Sequence, residues 1–415
     1  MHQRLVSATE ATQVSKSAAR HWRLDPAVTF LNHGSFGACP TAVLEAQRGY
    51  RDQMEAEPVR FFTRTAPPLL DASRQALGEL LRADANDLVF LSNATAGVNA
   101  IVRSLRFAPG DELLVTDHAY RACRNAFDHV AQRQGIKINI AALPFPLRSA
   151  DEITHAILGC ATPRTKLAMV DHVTSATGLV FPIEKIVLEL QGRGIDVLVD
   201  GAHAPGMAPL DLTALGAAYY TGNLHKWICA PKGAGFLHVR GDRQHLITPP
   251  IISHGYSVAR PGRSRFHDLF DWTGTLDVSP WLCVKEAIAF VQSLLPGGLA
   301  ELMSHNRGLA LAGRRMLCEA FGVPPASPDE MIGSLAAVEL PPDPDPEHGV
   351  DHSTSPTPQH TLQTDLMDRF HIEVPIYYWP APPRRVVRIS AQVYNHLSQY
   401  EALIGGLKTL LAEGH

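Results

Sequence analysis

The chain has 415 residues, with 37 basic side chains against 41 acidic ones and a formal charge of −4. At 45% apolar and 19% charged residues it can bury a large core, which excludes a disordered chain. The mild negative balance excludes nucleic acid as the main partner, because phosphate binding needs clustered positive charge. Lysine is scarce, eight residues against 29 arginines, so a reactive amine has few places to stand.

The first thirty residues hold no apolar run long enough for a signal peptide; Arg4, Lys16, Arg20 and Arg23 interrupt them. No stretch approaches the roughly 20 apolar residues that span a bilayer. The expectation is a soluble, cytoplasmic protein with no membrane partner. Six cysteines lie at irregular spacings without a CxxC pair, so no metal is expected.

Short β-branched runs then alternate with helical segments. LVFLS (88–92), ELLVTD (112–117), INIAAL (138–143), KLAMVDHV (166–173), DVLVDG (196–201) and AAYYTG (217–222) read as strands. Residues 94–105 and 119–134 read as helices between them. This is the pattern of an α/β domain with a mostly parallel sheet covered on both faces. GAGFLHVR (233–240) follows too short a link for a crossover and is expected to run antiparallel. Beyond Val278, two long helices are expected over 280–295 and 299–321. Residues 341–361 hold six prolines and read as a loop. HIEVPIYY and VVRIS look like strands, and 399–413 like a closing helix.

No GxGxxG or GxxxxGK[ST] motif occurs, so dinucleotide and P-loop sites lack support. Ligands of open α/β sheets still sit at the carboxyl ends of the strands. Three features lie there. Asn93-Ala94-Thr95 opens a helix, either as an anion site or as a plain cap. Asp200 ends an apolar strand, where a buried carboxylate needs a cation or several donors; it could also cap the next turn. Lys226 follows a polar turn and precedes Trp227. It is either a snorkelling surface lysine or a desolvated amine able to form a Schiff base. Lys232, in APKG, is the one plausible decoy. Together the three features form the set needed for pyridoxal 5′-phosphate (PLP), in which an aspartate keeps the pyridine nitrogen protonated and a lysine carries the cofactor.

FLNHGSFGACP (30–40), LSNATAGVNAIVRSL (91–105), TDHAY (116–120), DHVTSATGLVFPI (171–183), VDGAHAPG (199–206), TGNLHKWICAPKGAGFLHV (221–239), TGTLDVSPWL (273–282) and VRISAQVYN (387–395) resemble the class V aminotransferase family. The resemblance is greatest to its isopenicillin N epimerase-like branch. It implies a fold-type-I PLP-dependent transferase. An N-terminal arm (1–27) would precede a large domain (28–292) with a mostly parallel, seven-stranded-type sheet, followed by a smaller C-terminal α+β domain (293–415). It also implies a homodimer with shared active sites and a small amino-acid substrate. By position, Lys226 is the Schiff-base lysine and Asp200 pairs with the pyridine nitrogen. His203 and Ser175 lie near the ring oxygen. Ala94, Thr95, Asn223 and His225 hold the phosphate, and Thr275 reaches the phosphate of the partner subunit. Tyr120 stacks on the ring, with His118 as the alternative. Arg388 holds the substrate carboxylate, and His33, Gly34 and Ser35 line the substrate side.

The implied reaction is α-proton abstraction from an amino acid, ending in epimerisation or racemisation. Carbon–sulfur β-elimination is the first alternative and transamination the second. A desulfurase of the persulfide type is disfavoured, because residues 370–387, ahead of Arg388, contain no cysteine. From a different class, a PLP fold without catalysis would serve as a binding module. The intact Lys226 and Asp200 argue against that.

Overall fold

The structure is a computed structural model and describes residues 14–415 except 16 and 352–358. After helices α1 (Thr41–Ala56) and α2 (Ala66–Leu81) the chain enters its main sheet. The sheet and its crossovers run β1 (Leu88–Leu91), α3 (Ala94–Ser104), β2 (Glu112–Thr116), α4 (Arg121–Gln134), β3 (Lys137–Ala141), α5 (Ala150–Cys160), β4 (Thr165–Asp171), α6 (Ile183–Gly192), β5 (Asp196–Gly201), β6 (Tyr219–Asn223) and β7 (Gly235–Val239). These are seven strands in the order β1-β7-β6-β5-β4-β2-β3. Only β7 runs antiparallel to its neighbours, as its short link to β6 requires.

The strands carry apolar residues at every position because both faces are covered. Leu114, Val170, Val199 and Tyr220 face one core, filled by Leu77, Ile153, Ile186 and Val284. Leu113, Val115, Met169 and Leu198 face the other, filled by Val98, Ile101 and Phe127. The parallel strands β2, β4, β5 and β6 therefore all open at one edge, and that edge carries the site.

Helix α7 (Val284–Ser293) leads into α8 (Gly298–Phe321). The helix expected over 280–295 is split, with a short turn over Ser279–Leu282 ahead of α7. No single helix among the described residues is long and apolar enough to cross a membrane. The C-terminal unit is a three-stranded antiparallel sheet of β8 (Leu335–Leu340), β9 (Ile376–Tyr378) and β10 (Arg385–Ser390), in the order β9-β10-β8. Helices α9 (Thr361–Phe370) and α10 (Leu397–Ala412) complete it. Leu317, Val338, Ile389, Tyr400 and Leu407 form its core.

Three expectations need correction. Residues 341–361 are not wholly loop: Val350–Asp351 pairs antiparallel with Gln359–His360, and residues 352–358 lie outside the described set. HIEVPIYY is two strands, since Val374 and Pro375 interrupt it. Its first part, Ile372–Glu373, pairs in parallel with Thr29–Phe30. Residues 29–31 therefore belong with the C-terminal unit, where Leu31 is fully buried. This crossing matters for the site, because it sets Asn32 and His33 between the two units.

Candidate active site

Asp200 is the penultimate residue of β5 and is 4% exposed. Its Oδ1 accepts from Ala202 N–H at 3.0 Å and its Oδ2 from the Cys123 thiol at 3.2 Å. Burial pushes its carboxyl above the ordinary range, against the pull of those donors and of Lys226. Asp171 stands in register beside it on β4, also buried, and its carboxyl is pushed up further, by burial and then by the Asp200 charge.

Lys226 follows β6 by three residues. Its Nζ lies 3.1 Å from His203 Nε2. Burial, then the Arg388 charge, brings its amine down to about 7. A substantial fraction of the amine is therefore unprotonated near neutral pH, as a nucleophile or base requires. His203 is buried and held neutral by desolvation first and then by Lys226. Its Nδ1 has no partner among the described residues.

The start of α3 closes on the same edge. Asn93 caps it through Ala96 N–H, and Asn223 Oδ1 takes Ala94 N–H at 2.8 Å. Among the described residues no acceptor meets Thr95 N–H. An anion at this helix start would satisfy it. Two glycines bring the helix so close: a Cβ at Gly97 would collide with Thr221 Oγ1, and one at Gly235 would lie 2.6 Å from Asn93 Cα. His225 lies beside Lys226 with its Nδ1 on Ala234 O at 3.0 Å.

Arg388 sits on β10, 1% exposed. It donates to Ser175 O (2.6 Å), Asn32 Oδ1 (3.0 Å) and Ser35 Oγ (3.1 Å). No carboxylate among the described residues lies within ion-pair distance of it, and its Nε is unpartnered. A buried guanidinium without a counter-charge is a site for an incoming anion. Tyr377 lies under it, at 5.4 Å from ring centroid to Cζ. Tyr120 caps α4, is 44% exposed, and feels the charges of Cys123, Asp200 and Arg388. His118 is instead buried against Asp117 and Trp379, so of the two it is Tyr120 that faces this charge cluster.

Other expected residues sit differently. His33 does not face the substrate side. Its Nδ1 meets Tyr394 OH at 2.7 Å and its Nε2 meets Lys226 O at 3.0 Å, so both nitrogens are used up bracing the lysine loop. Burial lowers its imidazole to about 3, so it stays neutral. Gly34 is packed against Leu335, where a Cβ would come within 2.7 Å, and its N–H is bonded to Ser390 Oγ. Ser175 contributes its carbonyl to Arg388. Thr275 is exposed on the loop before Ser279–Leu282 and makes no hydrogen bond to the others within this chain. Lys232 is bound to Gly37 O at 2.8 Å and is no rival to Lys226. The substrate-side segment that begins at Asn32 was legible in the sequence, whereas Cys123, Asp171 and Tyr377 were missed. Asp171 lay inside a quoted motif, DHVTSATGLVFPI, without being singled out; the other two become visible only through tertiary contacts.

The set fits PLP on this geometry. Asp200 can hold a pyridinium N–H and the start of α3 can take a phosphate. His203 Nδ1 is an orphaned buried polar atom, and Lys226 supplies the amine. No cluster among the described residues could hold a metal.

The class-V aminotransferase family matches residues 31–323. Isopenicillin N epimerase of Amycolatopsis lactamdurans is 38% identical, over 93% of this chain and 96% of its own. L-cysteine desulfhydrase of Arabidopsis thaliana is 29% identical, over 99% of this chain and 93% of its own. In fold, the chain matches a C-DES variant with glycine covalently linked to its PLP cofactor, at a TM-score of 0.72 and 20% identity, covering 92% of this chain and 96% of that one. The chain belongs to the class V aminotransferase family and is a PLP-dependent enzyme.

Proposed function

We propose that this enzyme inverts the α-carbon of an amino acid whose carboxylate is held by Arg388. The observation that carries this is a lowered Lys226 amine in one cleft with a buried, uncompensated Arg388 guanidinium. When bound, PLP supplies an electron sink that acidifies the Cα–H of the attached substrate. Arg388 then fixes the carboxylate through its planar fork, with Asn32, Ser35 and the Ser175 carbonyl locking its orientation. Lys226 removes the α-proton on its face, and neutral His203 orients its amine. Inversion needs a proton donor on the opposite face, and Tyr120 is our candidate. A second copy of the chain would complete the site. Its supports are Thr275, standing exposed, and the exposed apolar residues Ile251, Ile252, Tyr256 and Val258 on one nearby loop.

Carbon–sulfur elimination is the second reading, supported by the desulfhydrase relative. It needs only the Lys226 side and a leaving group at Cβ. A panel of L- and D-amino acids, with cysteine and cystine, separates the two. Exchange of the α-deuterium with loss of chirality and no pyruvate or sulfide is expected; release of pyruvate and sulfide without racemisation would replace the first reading by the second. Lys226→Ala is expected to lower turnover by about three orders of magnitude or more in either case. An unchanged rate would remove both.

A further inference from the structure

The scheme above uses Asp200 but leaves Cys123 and Asp171 without a role. Cys123 is on α4, 1% exposed, three residues beyond Tyr120. Its thiol donates to Asp200 Oδ2 at 3.2 Å, and its sulfur lies 3.9 Å from Thr95 Oγ1 at the start of α3. The second oxygen of Asp200 takes a backbone N–H at 3.0 Å. Asp200 is therefore held by one ordinary donor and one weak one. Asp171 lies in register with it, and its Oδ2 has no partner. Two buried carboxyls this close do not both ionise. Asp171 has its own backbone N–H and Thr116 to draw on, but burial and the Asp200 charge push its carboxyl further up, whereas Asp200 has the thiol, an amide and Lys226; the negative charge therefore belongs to Asp200 and Asp171 stays neutral. The Tyr120 and Tyr220 hydroxyls also feel this charge, but neither donates to it; Tyr220 OH is engaged by His172 Nδ1 at 3.0 Å.

We propose that Cys123 is a positioning residue for the cofactor's ring nitrogen, its thiol fixing the Asp200 carboxylate while leaving that carboxylate basic. This rests on PLP binding at Asp200. Every donor on a carboxylate reduces its hold on a shared proton. A thiol is the weakest donor that fills this place, whereas a hydroxyl binds a carboxylate closely. Serine at 123 would orient Asp200 but draw charge away from the ring nitrogen. Alanine would leave more charge on Oδ2 and remove the tether.

The first readout needs no cofactor. In the infrared spectrum of the apo-protein, wild type minus Cys123→Ala should show an S–H stretch displaced to low frequency, and Asp200→Asn should bring it back toward the free-thiol position. A Cys123 band at the free-thiol position in that difference spectrum, from which the other five thiols cancel, would overturn the proposal. The second readout is the nitrogen-15 shift of ring-labelled PLP bound to each protein. Cys123→Ala should move it toward the protonated form and Cys123→Ser away from it, with thermal unfolding confirming that both variants fold. Packing alone would move both the same way or neither, and either result would overturn the proposal. A wild type that binds no PLP would overturn the cofactor reading along with it. Bound PLP with equal nitrogen shifts would overturn this inference alone.

Discussion

Around Asp271, buried charges meet their opposites within the chain; around Arg388 they do not. Asp271 accepts from Arg74 at 2.5 Å and from Arg260 at 3.2 Å, with Arg263 at 3.3 Å. Asp71 joins Arg74 and Arg263 at 2.7 Å each, and Asp268 meets Arg260 at 2.6 Å. Three arginines and three aspartates close on one another there. At the strand edge, Arg388 has only neutral oxygens, Lys226 has a histidine, and Asp200 has a thiol and an amide. The first cluster has no charge left to offer a ligand. The second is arranged to be completed by one: a carboxylate for Arg388, a protonated ring nitrogen for Asp200, a carbonyl carbon for Lys226. Arg74 and Asp271, with side chains 3% and 6% exposed, are buried as Arg388 and Asp200 are, so burial alone does not mark a site. The missing counter-charge does.

Substitutions at the two clusters should therefore fail in opposite ways. Arg388→Lys keeps the charge but loses the fork, and kcat/KM is expected to fall by roughly 10- to 100-fold, mainly through KM. Denaturant unfolding of the apo-protein should barely change, because no in-chain ion pair is broken. If stability falls and KM does not, Arg388 belongs with the structural cluster. Asp271→Asn is the converse. It removes one of the two counter-charges of Arg74, whose side chain is 3% exposed, and leaves Asp71, at a cost of about 1–3 kcal/mol of unfolding free energy. Turnover per folded molecule should be unchanged. A normal unfolding curve with lowered turnover would refute the division.

What the sequence could and could not disclose follows the same line. The strands β1 to β7 were legible because each is a short apolar run, and β7 ran antiparallel for the reason its link length gave. Strand β8 was missed, although it pairs with the whole of β10; Leu335–Leu340 contains two alanines and follows a polar loop, so propensity marks it weakly. Lys226 and Asp200 were legible because strand ends are read locally. His33 was misplaced because its motif says nothing of Tyr394, 361 residues away, which takes its ring nitrogen. Cys123 looked like one more scattered thiol until the fold set it on Asp200.

The smallest effect separates the clusters by pH. Lys226 is lowered to about 7 in the folded apo-protein from 10.5 in an unfolded chain. Between these values the unfolded chain binds a proton that the folded chain does not, so unfolding stability rises with pH across that window. Below about 7 both states carry the proton and the burial penalty is full. Lys226→Met, similar in length and uncharged, should be more stable than wild type below that pH and should lose the slope above it. Subtracting the two pH–stability curves cancels the remaining titrations. A flat difference would mean that the amine is solvated in the apo-protein, and that its reactivity would have to arise only after the cofactor is bound.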